Sequence, residues 1–212
     1  MQNASSPSRP RRYAGIVAAA VLVIFGVVSA VQGLDGRATV RDALKQEAVV
    51  GTPNMTPSIT AAAIRKAGLT GVDAPSCSVA GKAVAGGANA RCFAQYMRID
   101  ALVATGGKTY AQMPRYASKD GMGTDIEAAA VVGPDGRPMN NPARNVWVTE
   151  TALTTALNAS YMAEQISLFG IAVGGAFLLV GLVLGGFMLG SVRVPKLVPA
   201  RRREPQTVMS GS

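Results

Sequence analysis

The stretch "ISLFGIAVGGAFLLVGLVLGGFMLGSV", Ile166 to Val192, runs for 27 residues without a charge. A helix of that length crosses a hydrocarbon core of about 30 Å with room for tilt. A second charge-free block, "AGIVAAAVLVIFGVVSAV", covers Ala14 to Val31. At 1.5 Å per residue it reaches roughly 27 Å, enough for a thin bilayer. The expected organisation is a basic tail over residues 1–13, a first transmembrane helix over 14–32 and an extracytoplasmic domain over 33–165. A second transmembrane helix over 166–192 and a basic tail over 193–212 complete it.

Cations flank both blocks on their outer sides. Arg9, Arg11 and Arg12 precede the first, and Arg193, Lys196, Arg201, Arg202 and Arg203 follow the second. Basic flanks stay on the cytoplasmic side, so both termini are expected inside the plasma membrane and residues 33–165 outside. A basic start, an apolar run and "VSAVQG" also fit a secretory signal peptide, with Val28 and Ala30 at the small-residue cleavage positions. Cleavage there would leave one C-terminal anchor and the same external region.

The formal net charge of +9 resides mainly in these tails, because residues 34–165 carry 13 basic and 11 acidic residues. A nucleic-acid groove would spread its basicity over a folded face, so no nucleic-acid partner is expected. The bilayer is the expected partner, with another membrane protein or a second copy beside it. The tail "RVPKLVPARRR" has the composition of an anionic-lipid binder, although setting topology is the favoured account of it.

Outside the membrane the surroundings are oxidising. Cys77 and Cys92, the two cysteines of the chain, lie with 14 residues between them. They are expected to form a disulfide worth about 3 kcal/mol through loop closure. Zinc needs about four ligands and the chain has no His; a redox pair would want Cys-x-x-Cys.

Within the external region the pattern is helical. Residues 36–50 place Val40, Leu44 and Ala48 on one face; this helix either continues the first span outward or is parted from it at Gly33 and Gly36. Thr56 and Pro57 form a cap and first-turn pair for "PSITAAAIRKAG". "ARCFAQYMRIDALVATGG" is amphipathic through Cys92, Tyr96, Ile99 and Val103, ending at Gly106-Gly107. Short strands are expected at 109–112 and 129–132. Asn141-Pro142 should open one long helix, roughly Ala143 to Gly190, running into the second span with Trp147, Leu153, Leu157, Tyr161 and Ile166 along one face. The fold class is mainly α, with two transmembrane helices flanking a disulfide-stapled helical domain.

Catalytic patterns are scarce. Without His, the Ser–His–Asp and Cys–His systems and the two-His-one-carboxylate iron site are excluded. "GGKT" at 106–109 lacks the earlier Gly of a phosphate loop, since Leu102 stands there. Asp120, Asp125 and Glu127 lack the spacing of a calcium loop and read as a solvated turn. No metal, cofactor or catalytic residue is expected. Paired carboxylates from Asp100, Asp120, Asp125 and Glu150 leave a membrane-anchored enzyme or small-ligand domain as the alternative to a non-catalytic interaction domain.

In the second block, Gly170/Gly174, Gly181/Gly185 and Gly186/Gly190 are Gly-xxx-Gly pairs; Gly15/Ala19 and Gly26/Ala30 are small-xxx-small pairs in the first. Such pairs let helix backbones approach closely in lipid. Neither block holds an ionisable residue, which argues against an ion pathway built from them alone.

"RRYAGIVAAA", "QGLDGRATVRDALKQE" and "NPARNVWVTETALTTALNASYMAEQISLF" resemble segments of a family of small, uncharacterised two-pass membrane proteins of high-GC Gram-positive bacteria. The resemblance spans most of residues 11–190. It implies the same two-span architecture and carries no catalytic residues. Proteins of this kind are sometimes labelled aromatic ring-opening dioxygenase subunits. An extradiol iron site uses two His, and this chain supplies none.

Overall fold

The computed structural model describes residues 9–190. Among these, the chain forms four α-helices: α1 (Arg9–Gln46), α2 (Pro57–Lys66), α3 (Gly87–Ala104) and α4 (Ala143–Gly190). Two short 3-10 turns, at Tyr110–Gln112 and Glu127–Ala129, lie between α3 and α4. Extended pairing among the described residues is confined to isolated bridges. The described residues divide into two compact units, one of residues 9–26 and 176–190, the other of 27–175.

In the first unit the early part of α1 lies antiparallel to the late part of α4. A Cβ built on Gly15 would meet Met188, and one on Gly181 would meet Ala19 and Val23. The Phe25 and Phe177 rings meet edge to face, with centroids 5.4 Å apart. Most large side chains here face outward, Ile24, Val183 and Phe187 among them. Both α1 and α4 are long and apolar enough to cross a membrane, and only 11% of the most apolar window of each is buried within the protein. A core helix of a soluble protein would be mostly buried.

The second unit gathers the other helices. α1 continues unbroken through Gly33 and Gly36, which the sequence offered as breaks. Both glycines lie where α4 comes close. A Cβ on Gly33 would stand 2.6 Å from the Ser167 carbonyl oxygen, and one on Gly36 would stand 2.8 Å from the Ser167 hydroxyl. Their helix penalty, about 1 kcal/mol each, is offset by backbone approach. α1 stops at Gln46, short of the expected residue 50, because Ala48 turns to φ 50°. Val49 and Gly51 instead pair with the chain before α3, through Val84 N–H to the Val49 carbonyl at 2.9 Å and Gly51 N–H to the Lys82 carbonyl at 3.0 Å.

α2 begins as its sequence requires. The Thr56 hydroxyl accepts from Ile59 N–H at 3.4 Å, and Pro57 occupies the first turn. α3 starts at Gly87, three residues before the expected Ala90, and buries Cys92, Tyr96 and Ile99. Cys77 and Cys92 are bonded, with Cα atoms 6.1 Å apart. Met55, Val79, Cys92 and Tyr96 form the core cluster around the bond. The Tyr96 hydroxyl donates to the Cys77 carbonyl at 2.6 Å, and burial raises its pKa.

Neither expected strand forms. Residues 110–112 close a 3-10 turn on a Thr109–Gln112 capping box. Residues 127–129 form the other turn, and Val132 makes only a lone bridge to Pro138. Asn141 does open α4. Its side-chain oxygen accepts from Ala143 N–H at 3.0 Å and its amide donates to the Pro114 carbonyl at 3.1 Å. Trp147, Leu157 and Tyr161 face inward as expected, whereas Leu153 and Ile166 are exposed. The acids Glu150 and Glu164 are buried in their stead.

Candidate functional site

Glu164 sits on α4 just before the charge-free block. Its carboxylate accepts from Arg37 Nε at 2.9 Å, Arg41 Nε at 3.1 Å and Gly87 N–H at 2.5 Å. Arg37 and Arg41 are four residues apart on one face of α1. Gly87 is the first residue of α3, where helix N–H groups lack partners and the dipole favours an anion. One carboxylate thus ties three helices. Burial works to raise its pKa, but the Arg37 hydrogen bond, the Gly87 N–H and Arg41 outweigh that and hold it below the ordinary glutamate range. Gly87 is needed for the approach: a Cβ there would lie 2.8 Å from the Tyr161 Cα.

A half-enclosed crevice of about 530 Å³ opens between the end of α1, α3 and α4. Its walls are Leu44, Val84, Phe93, Met97, Leu153 and Leu157, with Glu47 and Ser160 as its polar side chains. Leu44 and Val84 are buried, and Phe93 and Leu157 pack on them. The volume lies within the roughly 300–1,000 Å³ of small-ligand sites.

The carboxylates singled out in the sequence are not gathered in one place. Asp100 and Glu150 line one open groove of about 510 Å³ with Asn145 and Thr149. Desolvation raises the Asp100 pKa. Asp120 instead closes its own turn, accepting from Ser118 and from Met122 N–H, which lower its pKa. Asp125 accepts from Arg115 N–H at 2.9 Å. Among the described residues no three His, Cys, Asp or Glu side chains are grouped to hold a metal ion.

The glycines of α4 divide by face. Gly174 and Gly181 are buried, Gly170 lies against Ser29 and Gly33, and Gly185 lies against Ala19. Gly186 and Gly190 have nothing within reach of an added Cβ. Of the cations expected to set topology, Arg9, Arg11 and Arg12 open α1; Arg193, Lys196, Arg201, Arg202 and Arg203 lie outside the described residues. Sequence reading missed the Glu164 knot. Its traces were an acid two residues before a charge-free block and two arginines four apart, and neither names a partner.

No family model, no curated protein and no solved structure matches the chain.

Proposed function

We propose that the protein is an integral plasma-membrane protein that presents a non-catalytic interaction domain, residues 33–165, on the extracytoplasmic side. Both termini are cytoplasmic, α4 passes from this domain into the bilayer, and the role is that of an accessory subunit, envelope scaffold or sensor. The observation that carries the reading is the outward exposure of the apolar windows of α1 and α4. Water would penalise that surface by roughly 25 cal/mol per Å², whereas lipid does not. The Cys77–Cys92 bond supports an oxidising exterior. Resemblance to two-pass membrane proteins points the same way.

The test is topological. Membrane fractions should retain the chain through alkaline carbonate. Reporters fused at either terminus should report the cytoplasm, and protease added to cells with a permeable outer envelope should cut within residues 33–165. A domain shielded until the inner membrane is opened would overturn the proposal. Crosslinking in cells, followed by identification of co-purifying proteins, should recover a partner other than lipid.

The groove shared by Asp100 and Glu150 supports a second reading, a membrane-anchored enzyme. A hydrolytic activity of the purified chain that both Asp100→Asn and Glu150→Gln abolish would favour it. Activity that survives both substitutions would remove the groove from consideration.

A further inference from the structure

We infer that the crevice between the end of α1, α3 and α4 binds a small amphiphile with an apolar body and a positively charged head. The body is specified by the walls, which are aliphatic and aromatic throughout. The head is specified by charge complementarity. Glu47 is the one ionisable side chain lining the crevice among the described residues, and it is solvent-exposed. It immediately follows Gln46, the last residue of α1, so its carboxylate adds to the negative end of the helix dipole.

The neighbouring cations are engaged elsewhere. Lys45 pairs with Asp42 at 3.0 Å, Arg41 binds Glu164, and Arg91 stacks over Tyr161 at 4.7 Å. None of the three lines the crevice. An anionic head would be repelled by the Glu47 carboxylate, whereas an ammonium would pair with it. Ser160 supplies a hydroxyl on the facing helix. The crevice belongs to a single compact unit, so this inference does not depend on which side of the membrane the domain occupies.

The experiment uses the full chain in lipid nanodiscs, with empty nanodiscs as baseline, and three probes of matched body: phenylbutylamine, phenylbutanol and phenylbutanoate. Calorimetric titration should show saturable binding of the amine about three- to tenfold tighter than the alcohol, as an exposed carboxylate and a helix end together imply. Phenylbutanoate should bind weakest. Glu47→Gln should remove most of the amine's preference over the alcohol and leave the alcohol unchanged. Ala156→Trp, at an exposed position on the crevice rim, should abolish binding of all three with the melting temperature retained. Binding no greater than to empty nanodiscs would overturn the inference. So would an amine preference undiminished by Glu47→Gln, or binding undiminished in an Ala156→Trp protein that melts like the parent.

Discussion

Arg37 on α1 donates to Glu164 on α4 at 2.9 Å, joining residues 127 positions apart in the chain. Arg41 reaches the same carboxylate oxygen, and the other oxygen takes the first N–H of α3. The carboxylate is therefore the point at which the two longest helices and the disulfide-bearing helix are held in register. This charged contact adds to the close approach of α4 at Gly33 and Gly36.

Glu164→Ala should lower stability by about 2–4 kcal/mol, since it leaves two guanidinium groups and a buried N–H without their acceptor. Thermal unfolding in detergent checks this. Arg37→Ala alone should cost less, because its side chain is 35% exposed and Arg41 remains. The two arginine substitutions combined should be non-additive.

Acid should act through the same group. The folded-state pKa of Glu164 is depressed, so its contribution is present in full above the unfolded value of about 4.3 and is lost as pH falls through the folded value. Melting temperature followed downward from neutral pH should drop more steeply in the parent than in Glu164→Gln. Asp100 has the opposite sign: its raised pKa makes it destabilising once pH climbs past the ordinary carboxylate range. Asp100→Asn should therefore raise the melting temperature at neutral pH.

The disulfide closes a loop with sequence separation 15 beside the buried Tyr96 and Val79. Cys92→Ser should cost about 3 kcal/mol. Alkylation of the denatured, unreduced protein should add no mass, and two alkyl groups should appear after reduction.

Helix packing should discriminate among glycines of one sequence type. Gly181→Leu forces a side chain into Ala19 and Val23, where even a Cβ would lie 2.8 Å from Val23. It should destabilise the α1–α4 pair by about 1–3 kcal/mol. Gly186→Leu enters open space and should be neutral or slightly stabilising through helix propensity. Unfolding in detergent compares the two directly.

Much of the architecture was legible because the relevant signals are local. Absence of charge over Ala14–Val31 and Ile166–Val192 is a property of consecutive residues, as are the Thr56-Pro57 and Asn141-Pro142 helix starts. Two cysteines admit one intramolecular pairing. The strands expected at 109–112 and 129–132 failed because short loop segments take their conformation from neighbours, here a capping box and isolated bridges.

By itself, the order of residues determined that the chain would be helical, that two of its helices would be long and apolar enough to cross a membrane and that its cysteines would pair. Hydrophobicity and helix capping act over a few residues and need no partner from afar. Tertiary structure decided that Gly33 and Gly36 would be contacts rather than breaks and that Glu164 would meet Arg37, Arg41 and Gly87. It also decided that Leu44, Phe93 and Leu157 would wall one crevice. Those outcomes depend on which distant surfaces approach within a few ångströms, and no local pattern encodes that distance.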